Sequence, residues 1–434
     1  MFDIAHETPA MTAADVHAWV EQLRTTSAPD DEAACVDVLR ALEELTCAAA
    51  GLQADAAAVL DTKVREREAA RGVPQARRGR GVAAQVALAT RTSHHRGQRR
   101  LGLAKILATE MPFTREALRA GHITEWKATI LARETACLSR QDRAEVDRRI
   151  AGDPRRVEGM GDRELEHAAR SLAEKLDVEA AVRRRRVAES ERRVTLRPVP
   201  DTMCRVSAEV PVAAGVAVLK SLRDAADSAR AAGDPRTRGQ VMADTLVERV
   251  LGTRDAVPVN VDLLVSDEVL LGDRDDAAHL DGYGPIPAEL ARELVTRADQ
   301  EGMATLRRLY RQPETGSLVA LDSQTRCFPA GLARLIRLRD QICRTPWCDA
   351  PIRHTDHVVP AEVEGPTSEL NGQGLCEACN HAKQAPGWRA RPSPGPRHTV
   401  VLTTPSGHSY DSTAPPVPGR VLPVDFSYPL VLIA

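Results

Sequence analysis

The stretch that decides the C-terminal fold runs from Cys343-Arg344-Thr345-Pro346-Trp347-Cys348 to Cys376-Glu377-Ala378-Cys379. It holds two cysteine pairs, one with a gap of four residues and one with a gap of two. Such pairs are typical of a tetrahedral zinc site in which two tight turns each supply two thiolates. A site closed by four thiolates leaves no position for a substrate, so we predict a structural Zn²⁺. The other five cysteines (Cys35, Cys47, Cys137, Cys204 and Cys327) show no pairing rhythm and are predicted to be reduced thiols.

Polar residues lie between and after the cysteine pairs. Asp356 and His357 are adjacent, Asn371 comes five residues before Cys376, and Asn380 follows Cys379 directly. A histidine side chain titrates near neutral pH and can accept a proton from water. A carboxylate gives a divalent ion a negative ligand, and an amide oxygen suits a hard cation such as Mg²⁺. These residues therefore indicate a second, functional site, with side chains of the types that hold a metal ion and accept a proton.

This arrangement resembles the HNH endonucleases, also called ββα-metal nucleases, over roughly residues 340–390. The resemblance implies that Asp356 is the first metal ligand and His357 the general base. It matches Asn371 to the middle asparagine of the motif, which orients the loop or the imidazole. Asn380 matches the last metal ligand, where the family often has histidine; His381 is a neighbouring candidate. The implied catalytic ion is Mg²⁺ or Mn²⁺. Lys383 and Trp388 fit the end of the motif, and Lys383 is an expected nucleic-acid contact.

The first part of the chain is predicted to be helical. Residues 13–26 and 31–70 are rich in Ala, Leu, Glu and Arg, with apolar positions at helical spacing. Residues 71–81 break this pattern and form a basic loop. Two short helices across residues 82–108 loosely resemble a helix-turn-helix. Thr124 is expected to begin a further helix, with Trp126 and Ile130 directed inward.

Six arginines of this region form a candidate phosphate-contacting surface: Arg77, Arg78, Arg80, Arg96, Arg99 and Arg100. The first interpretation is DNA binding through phosphate pairing. The alternative is the charged, solvated face of a helical bundle. The lack of aromatic residues and of a glycine turn favours this alternative.

The middle of the chain alternates between strand and helix patterns. Two alternating segments, 193–199 and 204–210, predict a hairpin; helices are predicted at 212–232, 237–251, 287–302 and 330–341. A strand is predicted over 257–265, a hairpin around 312–316, and a further hairpin around Pro405-Ser406-Gly407 in the proline-rich tail. The predicted fold has a mainly α N-terminal region (1–180), an α/β middle region (181–330), a small zinc-stapled ββα-metal (HNH) module (331–392) and a tail (393–434).

Two upstream segments resemble the 13E12-repeat domain: Ala117–Trp126, and Arg236–Gln240 with Ala243-Asp244. Tyr283–Ile286 fits the connecting segment of proteins that contain this domain. That domain, of undefined function, is commonly joined to a C-terminal HNH module. The resemblance spans most of residues 10–330 and carries no catalytic residue. It implies that the helical region positions the nuclease on DNA or mediates self-association.

Composition limits the function classes. The 434 residues carry a net charge of −2, so nucleic-acid binding must come from local patches rather than from an overall positive charge. Aromatic residues make up only 3%, which argues against recognition dominated by base stacking. Residues Met1–Glu7 lack a basic segment and an apolar core, and no apolar run reaches the length of a membrane span. We therefore expect a cytoplasmic protein whose partner is DNA rather than a membrane.

Two function classes remain open. The first is a metal-dependent endonuclease that hydrolyses DNA phosphodiester bonds, with His357 as general base and a divalent ion at Asp356 and Asn380. The second is a zinc-stapled nucleic-acid-binding or regulatory protein with a silent nuclease site. We favour the first, because a pure binding module has no need of Asp356 and His357 beside a metal position.

Overall fold

The computed structural model describes residues 11–252, 263–272, 274–300 and 328–416. The chain divides into two compact units. The first comprises the chain up to Ala56 together with Ile106–Leu176, and the second comprises Ala57–Lys105 together with the chain from Asp177 onward. Four predictions lie wholly or partly outside the described residues: residues 257–262 of the strand predicted over 257–265, the hairpin around 312–316, the thiol of Cys327 and the end of the tail from 417.

The N-terminal part of the chain is helical, as predicted. Its helices are α1 (Ala13–Thr25), α2 (Glu32–Ala70), α3 (Val82–Ala89), α4 (His94–Thr109), α5 (Pro112–Arg119), α6 (Glu125–Glu134), α7 (Arg140–Ala151), α8 (Pro154–Gly159) and α9 (Asp162–Leu176). A single 3₁₀ turn, Gln75–Arg77, interrupts the basic loop between α2 and α3. Within the described ranges, no helix combines the length and the apolar character needed to cross a bilayer.

The core of the first unit lies among α5, α6, α7 and α9. Leu118, Leu131, Val146 and Leu165 are fully buried there. Asp147 of α7 is also fully buried, and its carboxylate accepts hydrogen bonds from the backbone N–H groups at the start of α5, at 2.9 Å from Phe113 N and 2.9 Å from Thr114 N. This side chain therefore satisfies donors that a helix N-terminus leaves without partners.

The start of α6 confirms one part of its prediction and corrects another. Thr124 caps the helix by accepting a hydrogen bond from Lys127 N, and Ile130 is buried. The prediction that Trp126 points inward is wrong, because its side chain is 47% exposed. The guanidinium of Arg133 lies 5.9 Å from the centroid of the indole ring. A cation–π contact at the surface thus takes the place of burial in the core.

The middle region combines helices with small antiparallel sheets. Its elements are α10 (Val178–Ser190), β1 (Arg193–Val199), β2 (Met203–Glu209), α11 (Val212–Ala231), α12 (Arg238–Leu251), β3 (Leu263–Leu264), α13 (Asp267–Leu270), β4 (Ala278–Leu280), β5 (Gly284–Ile286) and α14 (Ala288–Gln300). The predicted hairpin is present as β1 and β2. The strands β3, β4 and β5 form a three-stranded sheet in that order.

The C-terminal part begins with a helix and continues as strand, strand and helix. Its elements are α15 (Ala330–Asp340), β6 (His354–His357), β7 (Gly372–Leu375), α16 (Glu377–Lys383), β8 (Arg389–Ser393), β9 (Thr399–Thr403) and β10 (Ser409–Thr413). The strands β6 and β7 pair antiparallel, and α16 follows β7 directly. The last three strands form a sheet in the order β10-β9-β8.

The strand β8 was not predicted. Its sequence contains Pro392, which cannot donate to a strand ladder and usually argues against a central strand. In the observed sheet β8 is an edge strand, where proline is tolerated. The predicted boundary between residues 392 and 393 therefore falls inside β8.

The helix α3 belongs to the same core as the C-terminal elements. Ala84 and Leu88 are buried in a cluster with Ala382, Trp388 and Leu402. At the start of α3, Gly81 has a φ of +85°, and a Cβ atom there would lie 2.5 Å from the indole nitrogen of Trp388. The segment that carries the second cysteine pair and α3 thus share one apolar core within the second unit.

Candidate metal centre and ββα site

Four cysteine sulfurs lie close together at the N-terminus of α16. Cys343, Cys348, Cys376 and Cys379 are all buried, and their Sγ atoms lie within 4.8 Å of one another. The Sγ of Cys348 is 3.7 Å from that of Cys376 and 3.4 Å from that of Cys379. Thiolates about 2.3 Å from a central Zn²⁺ would be separated by about 3.8 Å at tetrahedral geometry. The cluster therefore fits a metal such as zinc, as the sequence spacing predicted.

Backbone hydrogen bonds shape both cysteine turns. The N–H of Cys343 donates to the carbonyl of Ala350 at 2.9 Å, and that of Cys348 donates to Thr345 at 3.1 Å. The N–H of Cys379 points at the sulfur of Cys376 at 3.4 Å. The pKa of Cys376 lies well below its usual value because the thiols of the other three cysteines hydrogen-bond to its sulfur. A thiolate is the form that binds metal.

The strand β6 carries Asp356 and His357 at its end, opposite Gln373 and Gly372 of β7. A Cβ atom at Gly372 would lie 2.3 Å from Cδ1 of Ile336 in α15. The strand can approach α15 this closely because residue 372 has no side chain. Gly372 is thus a strand residue packed on a helix.

The imidazole of His357 is held from two sides. Its Nε2 lies 2.9 Å from the hydroxyl oxygen of Thr367, which is buried. The ring centroid lies 4.5 Å from that of Phe328. Sequence reasoning missed both neighbours, because the loop before β7 and the residues before α15 carry no local signal that points at His357.

Asn371 holds the loop that follows His357. Its Oδ1 accepts a hydrogen bond from Val359 N at 2.8 Å, and its Nδ2 donates to the carbonyls of Val359 at 3.0 Å and Pro366 at 2.8 Å. The residue is buried, since only 3% of its surface is exposed. Of the two roles considered for this asparagine, orienting the loop or the imidazole, these contacts match the loop.

Asn380 offers an oxygen ligand. Its Nδ2 lies 2.9 Å from Nδ1 of His354, so the amide nitrogen donates to the ring. Its Oδ1 is buried and has no hydrogen-bond partner among the described residues. An orphaned buried amide oxygen is costly unless a cation or donor satisfies it. A buried amide oxygen of this kind suits a hard divalent cation, for which Asp356 would supply the anionic ligand.

Lys383 contacts the carboxylate of Asp356. Its ammonium forms an ion pair with Oδ2 of Asp356 and donates a hydrogen bond to the carbonyl oxygen of His357. The lysine side chain is only 9% exposed. Sequence reasoning assigned Lys383 to nucleic-acid binding, and the structure places its charge beside the candidate metal ligand. Asn380 and Lys383 are three residues apart, so they share one face of α16.

The candidate phosphate-contacting arginines lie in the loop before α3 and in α4. Arg77, Arg80, Arg96 and Arg99 are exposed. Arg78 is half-buried, and its Nε donates to the carbonyl of Val73 at 2.7 Å; Arg100 is also half-buried. The exposure of four arginines is compatible both with DNA binding and with a solvated bundle face.

A buried charged cluster ties α15 to β7 and to the last sheet. The carboxylate of Asp340 accepts from Gly374 N at 2.7 Å and pairs with Arg339, whose Nη2 also donates to the carbonyl of Gly372 at 2.7 Å. Arg344 donates to the carbonyl of His398 at 3.2 Å. Arg344 also donates to the carbonyl of Ser412, and these contacts were not predicted because the partners lie up to 68 residues away in the sequence.

His398 is a buried base beside this cluster. Its Nε2 lies 2.9 Å from the carbonyl oxygen of Leu370. Burial, together with the nearby positive charge of Arg339, lowers the pKa of His398 to about 4. The ring is therefore neutral at physiological pH and donates through Nε2.

Comparison with known protein families identifies the family to which most of the chain belongs. Residues 39–340 match the family described as Domain of unknown function (DUF222), which covers more than half of the chain. The protein belongs to this family. The matched region ends at Asp340, so the cysteine cluster and the ββα unit, which consists of β6, β7 and α16, lie beyond it.

The curated relatives have no assigned function. An uncharacterised protein of Mycobacterium tuberculosis, Rv3776, is 36% identical over 138 residues, which are 31% of this chain and 24% of the relative. A second uncharacterised protein of that organism, Rv2100, is 36% identical over 133 residues, which are 30% of this chain and 22% of the relative. The aligned part thus spans about a quarter of these relatives. No solved structure matches the chain.

Proposed function

We propose that this protein is a metal-dependent DNA endonuclease of the HNH type. The observation that carries the proposal is the placement of Asp356 and His357 at the end of β6, within a strand-strand-helix unit whose helix supplies Asn380. The buried, unpaired oxygen of Asn380 supports a cation site there. The four-cysteine cluster holds a structural Zn²⁺ that fixes the helix carrying Asn380 to the loop after α15.

Each residue has a distinct part in the proposed hydrolysis. His357 accepts a proton from the attacking water, and the contact with Thr367 fixes the orientation of the ring. Asp356 and Asn380 hold a divalent ion, Mg²⁺ or Mn²⁺, which when bound polarises the phosphate and stabilises the leaving oxygen. Asn371 keeps the loop after His357 in place through three hydrogen bonds to backbone atoms.

The proposed partner is DNA. Because α3 packs on Trp388 and Ala382, the basic loop leads directly into a helix that shares a core with the ββα unit. Its exposed arginines are therefore suited to hold the phosphate backbone near the centre. Self-association through the helical region is the other proposed role. It is supported by an exposed apolar stripe on α1: Val16, Trp19, Val20 and Leu23.

A zinc-stapled binding or regulatory protein with a silent nuclease site is the second candidate. The observation that favours it is the ion pair between Lys383 and Asp356, since a neutralised carboxylate is a weaker metal ligand.

Nicking of supercoiled plasmid by purified, zinc-loaded protein distinguishes the two candidates. We expect nicked or linear DNA when Mg²⁺ or Mn²⁺ is added and none without added divalent ion. Asn380→Ala, purified in parallel, controls for contaminating nucleases and should lose most of the activity. Equal nicking by both proteins, or none at any metal concentration, would favour the silent-site candidate.

A further inference from the structure

The ammonium of Lys383 is positioned as a counter-ion for the carboxylate of Asp356. Oδ2 of Asp356 is a buried oxygen, and it forms an ion pair with the Lys383 ammonium. The same ammonium donates to the carbonyl of His357, so it is anchored to β6 at two points. The Asp356 side chain is 22% exposed and the Lys383 side chain 9%, so the pair is largely shielded from water, and removing one partner leaves the charge of the other poorly compensated.

We propose that Lys383 is the resident counter-ion of the metal-free centre, and that its ammonium neutralises Asp356 and lowers the affinity of the centre for a divalent cation. This inference rests on the proposed function, because it takes Asp356 as a metal ligand. It adds a regulation of that centre: the centre binds a divalent ion only at ion concentrations high enough to overcome the repulsion from the Lys383 ammonium.

The charges at the site support this role. The candidate ligands are one carboxylate, Asp356, and one neutral amide, Asn380. With Lys383 in place, the formal charge of the three side chains is zero, whereas hard divalent ions are held mainly by anionic oxygens. A cation that enters must either displace the ammonium or lie close to it. In both cases the positive charge of the lysine opposes binding.

The geometry of α16 keeps ligand and counter-ion together. Asn380 and Lys383 lie three residues apart on the helix face that contacts β6. The helix is fixed at its start by Cys376 and Cys379 and buried along one side by Ala382. The lysine side chain, at 9% exposure, is therefore held at the centre rather than free to extend into solvent.

Manganese binding to the full-length, zinc-loaded chain tests the inference. The dissociation constant for Mn²⁺ is measured by electron paramagnetic resonance for wild type, Lys383→Met and Asp356→Asn. Lys383→Met should bind Mn²⁺ at least about tenfold more tightly, because one opposing unit charge is removed. Lys63→Met, at a lysine that is 72% exposed, is the matched control and should bind as wild type does.

Thermal unfolding gives a second readout. Without divalent ions, Lys383→Met should unfold at a lower temperature than wild type, and Mn²⁺ should raise its midpoint by more than it raises that of wild type. The double variant Asp356→Asn with Lys383→Met removes both charges. It should recover part of the lost stability, which shows that the single variant is weakened by the uncompensated carboxylate.

The outcomes separate this inference from the proposed function. If Lys383→Met binds Mn²⁺ no more tightly than wild type while Asp356→Asn loses binding, the counter-ion role is overturned and the metal site stands. If Asp356→Asn binds Mn²⁺ as wild type does, or no variant binds it, both the metal site and the counter-ion role are overturned.

Discussion

Gly97 of α4 lies directly against Ala87 of α3. A Cβ atom at residue 97 would be 2.5 Å from the Cβ of Ala87 and 2.5 Å from the carbonyl oxygen of Ala83. The two helices can therefore cross this closely only because residue 97 has no side chain. Since α3 also packs on Trp388, this crossing connects the basic segment of α4 to the ββα unit.

Two glycine substitutions in α4 test this crossing. Gly97→Ala should lower the free energy of unfolding by about 1–3 kcal/mol, the usual cost of overpacking a core. Gly102→Ala is the control in the same helix, because nothing lies within 4 Å of its added methyl group. It should raise the stability by roughly 0.5–1 kcal/mol through helix propensity. Denaturant unfolding measures both, and equal effects would contradict the proposed close approach.

Loss of the cysteine cluster should destabilise α3 as well as the C-terminal elements. Cys376→Ser is expected to lose the bound Zn²⁺, measured by elemental analysis, because metal binding is coupled to folding of such sites. Amide exchange should then accelerate in α16 and also in α3, whose Leu88 packs in the same cluster as Trp388.

The core of the first unit, around Leu131 and Leu165, should keep its amide protection. Cys204→Ser, at an exposed cysteine, is the control and should retain the metal. Unchanged exchange in α3 after zinc loss would show that its packing on the module contributes little.

Removal of the proposed general base should stop cleavage without unfolding the protein. His357→Ala is expected to lower the rate of plasmid cleavage at least about a hundredfold, the usual contribution of acid–base catalysis. Zinc content and the thermal midpoint should stay near those of wild type. His408→Ala, at an exposed histidine, should cleave normally. Cleavage by His357→Ala at the wild-type rate would rule out the assigned role.

The exposed arginines allow a test of the DNA surface. Replacing Arg77, Arg80, Arg96 and Arg99 by glutamine should weaken binding to all DNA sequences. The slope of log affinity against log salt should flatten by about 0.9 for each phosphate that the protein no longer neutralises. Arg78 and Arg100 are left in place because they are half-buried.

The matched control replaces four arginines of the first unit, each at least half exposed: Arg24, Arg140, Arg148 and Arg149. A salt slope that changes equally in both variants, or in neither, would support the solvated-bundle interpretation.

His398 should make stability depend on pH. Its folded-state pKa of about 4 lies below the value of about 6.5 expected in the unfolded chain, because burial disfavours the charged ring. The unfolded state therefore binds the proton first, and this contribution to stability is present above pH 6.5 and lost as the pH falls toward 4. It amounts to roughly 3 kcal/mol at most.

His398→Gln keeps a donor for the carbonyl of Leu370 but cannot titrate. Its stability, measured by denaturant unfolding between pH 4 and 7, should fall less steeply on acidification than that of wild type. Parallel curves would mean that other groups account for the acid sensitivity.

The sequence by itself determined the elements with strong local signals. Helical spacing predicted α2 as one long helix, Thr124 announced the start of α6, and the cysteine gaps predicted the four-thiol cluster. These features depend on residues close together in the chain, or on ligand spacing that only a metal site explains. The function assigned to Asp356 and His357 also came from the sequence, and it remains a proposal.

Only the tertiary structure decided which surfaces and charges meet. The contacts of Lys383 with Asp356, of Thr367 with His357 and of α3 with Trp388 join residues that lie between 10 and 304 positions apart. Periodicity could not show that Trp126 is exposed, or that an edge position tolerates Pro392 in β8. Helix propensity and residue spacing are properties of short stretches of sequence. Burial and ion pairing depend instead on which distant segments pack together, and the tertiary structure decides which segments those are.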